Sequence, residues 1–208
     1  TGLATLEAQF VSVERVAQYC RLRGERTGGT EYEGSEPCAL EVHQLKLRYR
    51  LERPLALKGV SFSVEAGRKV AICGRTGSGK SSLVQCLARL YDFDGSIRVD
   101  GVSLKTLSLH SARSLVRVVQ QDATLRADTL RRNLVGPSHV SDDVIWDALN
   151  LVGAAGCVSR CGGLDTMIRE GGGDFSAGER QLLALARALL PEPPRLLLAD
   201  ECSSNVDE

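Results

Sequence analysis

The stretch "GRTGSGKS", residues 74–81, decides the fold, because it follows an apolar run and precedes a helical pattern. Its spacing is G-x-x-x-x-G-K-S, and the glycines let backbone N–H groups turn inward around an anion. Lys80 adds a positive charge, and the hydroxyl of Ser81 suits Mg²⁺. A plain glycine-rich turn would not require Lys-Ser here, so the pattern predicts a loop that binds nucleotide phosphates. The predicted binding residues are Gly74, Arg75, Thr76, Gly77, Ser78, Gly79, Lys80, Ser81 and Ser82.

Two acidic residues close the apolar run "LLLADE", which is typical of a strand. Asp200 is predicted to hold Mg²⁺ through water. Glu201 is predicted to polarise a water molecule aimed at the γ-phosphate. The alternative for Glu201 is a solvated acid at the end of a strand. The phosphate loop upstream favours the catalytic interpretation.

Two further side chains are candidates for the same site. Gln121 lies where the apolar run "VRVVQ" meets a loop, and its amide could contact both the metal and the water. The alternative is an ordinary surface amide. Tyr49 either packs as an aromatic on the apolar face of a strand or stacks on a nucleotide base.

Composition narrows the function classes. The chain has 208 residues, 43% of them hydrophobic, and equal numbers of basic and acidic residues, 26 each. A zero net charge argues against a general nucleic-acid binder, so no nucleic-acid partner is expected. No run of 18 apolar residues is present to span a bilayer. The seven cysteines show no framework spacing and the three histidines are scattered, so we expect reduced thiols and no zinc site.

Periodicity predicts an α/β fold with a mostly parallel sheet. The first twenty residues form an amphipathic helical pattern with the apolar stripe Leu3, Leu6, Phe10, Val13 and Ala17. Residues 23–39 are polar and glycine-rich, which indicates a linker. A strand is predicted at 45–51, with Leu45, Leu47, Tyr49 and Leu51 on one face. A turn at Ala66 and Gly67 and a buried strand at 69–73 follow. Ser141 is predicted to cap a helix whose buried face consists of Val144, Ile145, Ala148, Leu149 and Val152.

A second loop, residues 174–179, also opens a helix. Ser176 and Glu179 have the spacing of a capping box. With Gly178 in the first turn, this helix N-terminus also suits an anion. The phosphate loop already surrounds one triphosphate, so it has no need of the second loop.

The motifs "GRTGSGKS", Gln121, "FSAGERQ", "LLLADE" and "SSNVD" occur in one order, and in that order they resemble the nucleotide-binding domain of an ABC transporter. The resemblance covers roughly residues 40–208. Together with "SVERVAQYC", the motifs are most similar to the second nucleotide-binding domain of subfamily C, the multidrug-resistance-associated exporters. The implied fold is that of a P-loop, RecA-like NTPase with an N-terminal antiparallel β subdomain and a helical signature subdomain. Its C-terminal strands are expected to be missing, with the chain ending after the D-loop.

The resemblance implies a role for each motif. The second loop corresponds to the family's signature, so Ser176, Gly178 and Glu179 would contact ATP held by a second nucleotide-binding domain in a head-to-tail dimer. Tyr49 would stack on adenine, and Gln121 would sense Mg²⁺. Gln121 and Glu170 would contact the coupling helices of transmembrane domains, and Asp207 would be the D-loop aspartate. The implied ligands are ATP and Mg²⁺. The domain would lie on the cytosolic face of a membrane, with residues 1–22 as the cytosolic end of a transmembrane helix.

The sequence departs from the family at several points. Glu179 stands where glutamine is usual, which predicts weaker binding of a partner's γ-phosphate. Ala123 replaces a proline and Cys202 an alanine, and no histidine matches the family's switch histidine. We therefore expect transport-coupled ATP hydrolysis with little activity from the chain alone. The alternatives are a regulatory nucleotide sensor, a soluble ABC ATPase, and an inactive fragment.

Overall fold

The computed structural model describes residues 2–22, 24–25, 28–32, 39–120 and 123–200, with the backbone alone at residues 2–9. The helices are α1 (Gly2–Cys20), α2 (Lys80–Leu87), α3 (Leu109–Leu115), α4 (Leu130–Val135), α5 (Asp142–Leu151), α6 (Ala155–Arg160) and α7 (Ala177–Leu189), with a 3-10 turn at Glu170–Gly172. The strands are β1 (Leu40–Leu47), β2 (Leu57–Val64), β3 (Asp94–Val99), β4 (Val102–Ser103), β5 (Val116–Val119) and β6 (Leu196–Ala199).

An antiparallel sheet lies in the N-terminal half of the chain, with the strand order β2-β1-β3-β4. Side chains alternate between its faces, and Leu45, Leu47, Ile97 and Val99 are almost completely buried on the inner face. Leu83 and other apolar residues of α2 pack into the same core. The sheet confirms the antiparallel β subdomain.

The strand predicted at 45–51 is wrong in its second half. β1 ends at Leu47, and the chain then turns because the Arg48 guanidinium donates to the carbonyls of Leu51 and Arg53, each at 3.0 Å. Tyr49 is 42% exposed and Leu51 is 92% exposed. Neither side chain belongs to the apolar face of the strand, and the turn instead carries Tyr49 towards α2.

A second sheet pairs β5 and β6 in parallel, from Val116 opposite Leu196 to Val119 opposite Ala199. The N–H of Asp200 donates to the Val119 carbonyl at 3.0 Å and continues this ladder by one residue. Helices α3 and α7 contact β5. Strands paired in parallel and covered by helices confirm the α/β class.

The buried strand predicted at 69–73 is wrong for the described structure. This segment has no strand pairing, and Val70 and Ile72 are 59% and 47% exposed. A run that is apolar on both faces becomes a buried strand only between two neighbouring strands. Among the described residues, the parallel sheet consists of β5 and β6, and neither is bonded to this segment.

Helices α4 to α7 enclose a second core, to which Leu130, Ile145, Leu149 and Leu183 contribute fully buried side chains. On α5 the predicted stripe is largely confirmed, but Val144 is 41% exposed at its edge. Ser141 is the N-cap, as predicted, although its hydroxyl makes no capping bond.

The described residues before β1 form a helix and a segment that contacts the domain. Helix α1 confirms the helical pattern, and Phe10 and Val13 of its stripe are exposed. No described helix combines the length with the apolar character that a bilayer span requires. Within the predicted linker, Thr30 pairs with Leu107, and the carboxylate of Glu31 accepts hydrogen bonds from Ser108 and Ser111.

Candidate nucleotide-binding site

The phosphate loop, residues 74–82, opens helix α2 as the sequence predicts. Gly79 is the N-cap, and its left-handed φ of 100° favours glycine. A Cβ there would also lie 3.1 Å from the carbonyl oxygen of Ala56 and 3.0 Å from a methyl group of Leu57. Helix α2 begins at Lys80, so the N–H groups of its first turn have no acceptor within the helix. These donors and the helix dipole suit phosphate oxygens.

Lys80 lies within the curve of this loop. Its Nζ donates to the Gly74 carbonyl at 2.8 Å and to the Arg75 carbonyl at 3.2 Å. The loop is closely folded at the same place, because a Cβ on Gly74 would lie 2.6 Å from Ser78 Oγ. The ammonium group is therefore held at the centre of the loop, where a phosphate oxygen can replace a carbonyl as its partner.

A cavity of about 450 Å³ adjoins the loop and brings together side chains that are far apart in the sequence. Tyr49 comes from the turn after β1, Ser81 from the first turn of α2, and Asp200 from the end of β6. The residues that line it are Tyr49, Ala56, Thr76, Gly77, Gly79, Lys80, Ser81, Ser82 and Asp200. The predicted base residue, both described metal candidates and most of the phosphate loop thus line one cavity, whereas Gly74, Arg75 and Ser78 of that loop do not.

The hydroxyl of Tyr49 anchors its ring at this cavity. It lies 2.9 Å from Ser82 Oγ in a hydrogen bond, and it donates to Gln85 Oε1 at 2.6 Å. The ring of Tyr91 meets that of Tyr49 edge-on, with the centroids 4.9 Å apart. Sequence reasoning missed Gln85 and Tyr91, because only the turn after β1 brings Tyr49 against α2.

A second cavity, of about 930 Å³, shares Tyr49, Ala56 and Gly77 as lining residues. Its wall also includes the basic side chains of Arg50, Arg53 and Lys58, which the sequence patterns had not singled out. The space beside Tyr49 is therefore larger than the phosphate loop alone requires and is lined by positive charge. Base, ribose and phosphate together need space of this kind.

The described metal candidates suit Mg²⁺. The hydroxyl of Ser81 and the half-buried carboxylate of Asp200 line the same cavity. Mg²⁺ keeps several waters and takes few protein ligands beside substrate phosphates, so one hydroxyl and one carboxylate fit it. The other two predicted residues, Gln121 and Glu201, lie outside the described residues and stay predictions, as does Asp207.

The second loop forms the predicted capping box at the start of α7. The N–H of Glu179 donates to Ser176 Oγ at 3.2 Å, and the N–H of Ser176 donates to Glu179 Oε2 at 2.8 Å. The other carboxylate oxygen of Glu179 pairs with the guanidinium of Arg160. The Ser176 N–H, followed by Arg160, holds the pKa of Glu179 below its usual range.

The structure keeps the two loops apart within this chain. Among the described residues that line the two cavities beside the phosphate loop, none belongs to the second loop. Ser176, Gly178 and Glu179 instead begin a helix that packs into the second core. The second loop therefore contributes no described residue to the site built around the phosphate loop.

Comparison with known proteins adds to this geometry. Residues 57–204 match the family model described as ABC transporter. The chain is 38% identical to ABC transporter C family member 13 of Oryza sativa subsp. japonica over 97% of its length, and 39% identical to ATP-binding cassette sub-family C member 3 of Homo sapiens over 99%. It spans 14% of the length of each of these relatives.

A solved structure of a bacterial Atm1-family ABC exporter with ATP bound superposes with a TM-score of 0.82 at 29% identity. The superposition covers 99% of this chain and 37% of that chain. On the match of residues 57–204 and the likeness to subfamily C proteins along nearly the whole chain, this protein belongs to the ABC transporter family and is similar to the nucleotide-binding domains of subfamily C.

Proposed function

We propose that this domain binds Mg-ATP at the phosphate loop and hydrolyses it to power export of a substrate by a larger membrane transporter. The observation that carries the proposal is the cavity that joins Tyr49, the phosphate loop, Ser81 and Asp200. This cavity offers an aromatic ring, N–H donors with an ammonium group, and metal ligands. The base, the triphosphate and the metal of Mg-ATP need these three kinds of partner, respectively.

In this proposal each side chain acts on charge or position. Lys80 and the first-turn N–H groups of α2 neutralise the β- and γ-phosphate oxygens, while Tyr49 supports the adenine ring. Ser81, Asp200 and Gln121 hold Mg²⁺, which when bound supplies positive charge at the phosphates. Glu201 orients the attacking water and accepts its proton. Positioning and charge stabilisation account for most of the catalysis in phosphoryl transfer.

We also propose that the domain works as a head-to-tail dimer with a second nucleotide-binding domain. The separation of the two loops supports this, because the second loop lines neither cavity beside the phosphate loop. Ser176 and Gly178 at the start of α7 would meet the γ-phosphate of the facing domain. The phosphate loop, with Lys80, serves the domain's own nucleotide, and this explains why only one of the loops carries a lysine.

The place in the transporter follows from the same proposal. The domain lies on the cytosolic face of the membrane and is the second nucleotide-binding domain of its transporter. Gln121 and Glu170 contact the coupling helices of the transmembrane domains, and residues 1–22 continue the last membrane helix. The exposed apolar side chains of Phe10 and Val13 on α1 support the last point, since they have an open face to offer a neighbouring helix.

The test uses Lys80→Ala and a fluorescent ATP analogue. We expect binding to fall below detection, because the change removes the ammonium group at the centre of the loop. Lys46→Ala, an exposed change on β1 that touches neither cavity, serves as the charge-matched control. Unchanged affinity in Lys80→Ala would refute the nucleotide site.

In the transporter, Glu201→Gln should keep ATP bound and stop turnover, whereas a nucleotide sensor would keep its function.

A further inference from the structure

Glu179 places a negative charge at the start of α7, where the second loop is proposed to meet a phosphate. The carboxylate is tied down, because Oε2 accepts the Ser176 N–H at 2.8 Å while Oε1 faces Arg160. Its side chain is only 24% exposed. Both partners favour the ionised form and hold the pKa of Glu179 low, so the charge persists at neutral pH.

An unpaired carboxylate at this position would oppose an incoming phosphate. Like charges brought together at an interface are costly, and partial burial of Glu179 limits screening by salt. The N–H groups of Ala177 and Gly178, which have no acceptor within the helix, would then attract the anion while Glu179 repelled it. The loop needs a counter-charge that leaves those donors in place.

Arg160 supplies that counter-charge from another helix. It is the last residue of α6, nineteen positions before Glu179, and its side chain is 64% exposed. The hydrogen bond to Glu179 raises the pKa of Arg160 and is the contact that ties the guanidinium to the second loop. Glu179 and Arg160 together carry no net charge, so the pair leaves the helix N-terminus attractive to an anion.

We propose that Arg160 is a positioning residue of the second loop. By pairing with Oε1 of Glu179, it cancels the negative charge at the start of α7. This allows the loop to receive the γ-phosphate held by a facing nucleotide-binding domain. The inference rests on the proposed head-to-tail function, and it reverses the expectation that Glu179 weakens binding to the partner's nucleotide. Because Arg160 belongs to α6, the charge at the second loop depends on the position of that helix.

The test measures binding of inorganic tripolyphosphate to the second loop, so it needs no partner domain. The chain carries Lys80→Ala to weaken the phosphate loop, and the amide signals of Ser176, Ala177 and Gly178 are followed by NMR. Arg160→Ala should weaken binding at these amides by about tenfold, because the Glu179 charge is left uncompensated. Arg160→Lys, which keeps the charge, should stay within about threefold of the parent chain.

The double variant Arg160→Ala with Glu179→Gln should recover the affinity of the parent chain. Glutamine keeps the capping box and removes the charge, so the arginine is no longer needed. Arg98→Ala, an exposed change of equal charge on β3, should have no effect. If Arg160 had a purely structural role, the loss of affinity would follow a loss of stability. Thermal unfolding of each variant checks that it does not.

The outcomes separate this inference from the proposed function. Equal affinity of Arg160→Ala and the parent chain, failure of Glu179→Gln to rescue, or no response of the α7 amides to tripolyphosphate would each overturn the role of Arg160. Absence of Mg-ATP shifts at Ser78 and Gly79 in the chain with Lys80 intact would overturn the proposed function instead. The two readouts lie in different loops, so one can fail while the other succeeds.

Discussion

At Tyr49, the hydroxyl group decides where the side chain lies. Sequence patterns offered two roles for the ring, an apolar-face aromatic or a base platform. The structure removes the first, because the chain turns after Leu47 and the ring is 42% exposed. Hydrogen bonds to Ser82 and Gln85 then fix the ring beside the phosphate loop.

Substitutions at Tyr49 should separate the ring from the hydroxyl. Tyr49→Phe should weaken ATP binding by a few-fold, since a hydrogen bond contributes about 0.5–1.5 kcal/mol. Tyr49→Ala should weaken it by about tenfold or more, because stacking on a base is worth about 1–3 kcal/mol. Both can be measured by calorimetry with ATP and with tripolyphosphate. If tripolyphosphate affinity fell equally, Tyr49 would support the loop and not the base.

Cys86 reports on the packing of α2 behind the phosphate loop. Its side chain is fully buried, and burial raises the pKa of the Cys86 thiol to about 11. At pH 8 we expect iodoacetamide to alkylate the exposed Cys73 and to spare Cys86 until the chain unfolds. Peptide mass mapping would show this. Rapid alkylation of Cys86 in the folded chain would mean that α2 is loosely packed.

The same thiol gives a direction for the pH dependence of stability. Because the folded-state pKa is raised, the fold favours the protonated thiol. Its contribution is complete below about pH 8.5, the pKa of an unperturbed thiol. It should be lost as the pH rises through about 11. Denaturant titrations between these values, with Cys86→Ala as the control, would detect it.

At the scale of a helix, α5 and α7 begin with the same residue type but not with the same contacts. Both have serine at the N-cap, yet only Ser176 accepts a hydrogen bond from the helix backbone. Ser141 has a similar backbone conformation and makes no side-chain capping bond. The residue type alone therefore does not predict how much a cap stabilises its helix.

Alanine at each N-cap should show the difference. Ser176→Ala should lower the free energy of unfolding by about 1 kcal/mol, as loss of a bonded cap commonly does. Ser141→Ala is the matched control and should cost about 0.5 kcal/mol or less, the range of ordinary surface changes. Urea denaturation followed by circular dichroism measures both. Equal losses would mean that the capping bond at Ser176 contributes little.

At the scale of the whole molecule, the described residues form two large hydrophobic cores, each of which presents one loop, and a small cluster of Val119, Ala184 and Ala188. The antiparallel sheet and α2 position the phosphate loop, while α4 to α7 position the second loop. No described residue of the second loop lines either cavity beside the phosphate loop. Under the proposed head-to-tail function, two such domains facing each other would each complete the other's site.

This arrangement predicts that turnover depends on association. Ser176→Arg should leave binding of ATP to the phosphate loop nearly unchanged, because Ser176 lies outside both cavities. ATP hydrolysis in the full transporter should fall by about a hundredfold or more, the usual cost of losing a group that stabilises the transition state. Equal loss of ATP binding by the single domain would contradict the assignment of the second loop to a facing domain.

Local spacing was enough for the features that lie within a few residues of one another. The G-x-x-x-x-G-K-S loop opens α2 at Lys80, and Ser176 with Glu179 forms the capping box, because each depends on backbone geometry within one or two turns. The alternation in β1 likewise predicted the buried Leu45 and Leu47. Asp200 follows β6 as expected, since a strand end is a local feature.

Only the tertiary structure decided which distant groups meet. Residues 69–73 have the pattern of a buried strand, but a strand forms only by pairing with other strands. Among the described residues, no strand pairs with this segment. The pairing of Arg160 with Glu179, and of Tyr49 with Ser82, depends on how helices and turns pack, which no spacing encodes. The sequence by itself determined the chemistry of each loop, whereas the fold determined which charges compensate one another, because electrostatic interaction depends on distance in space and not along the chain.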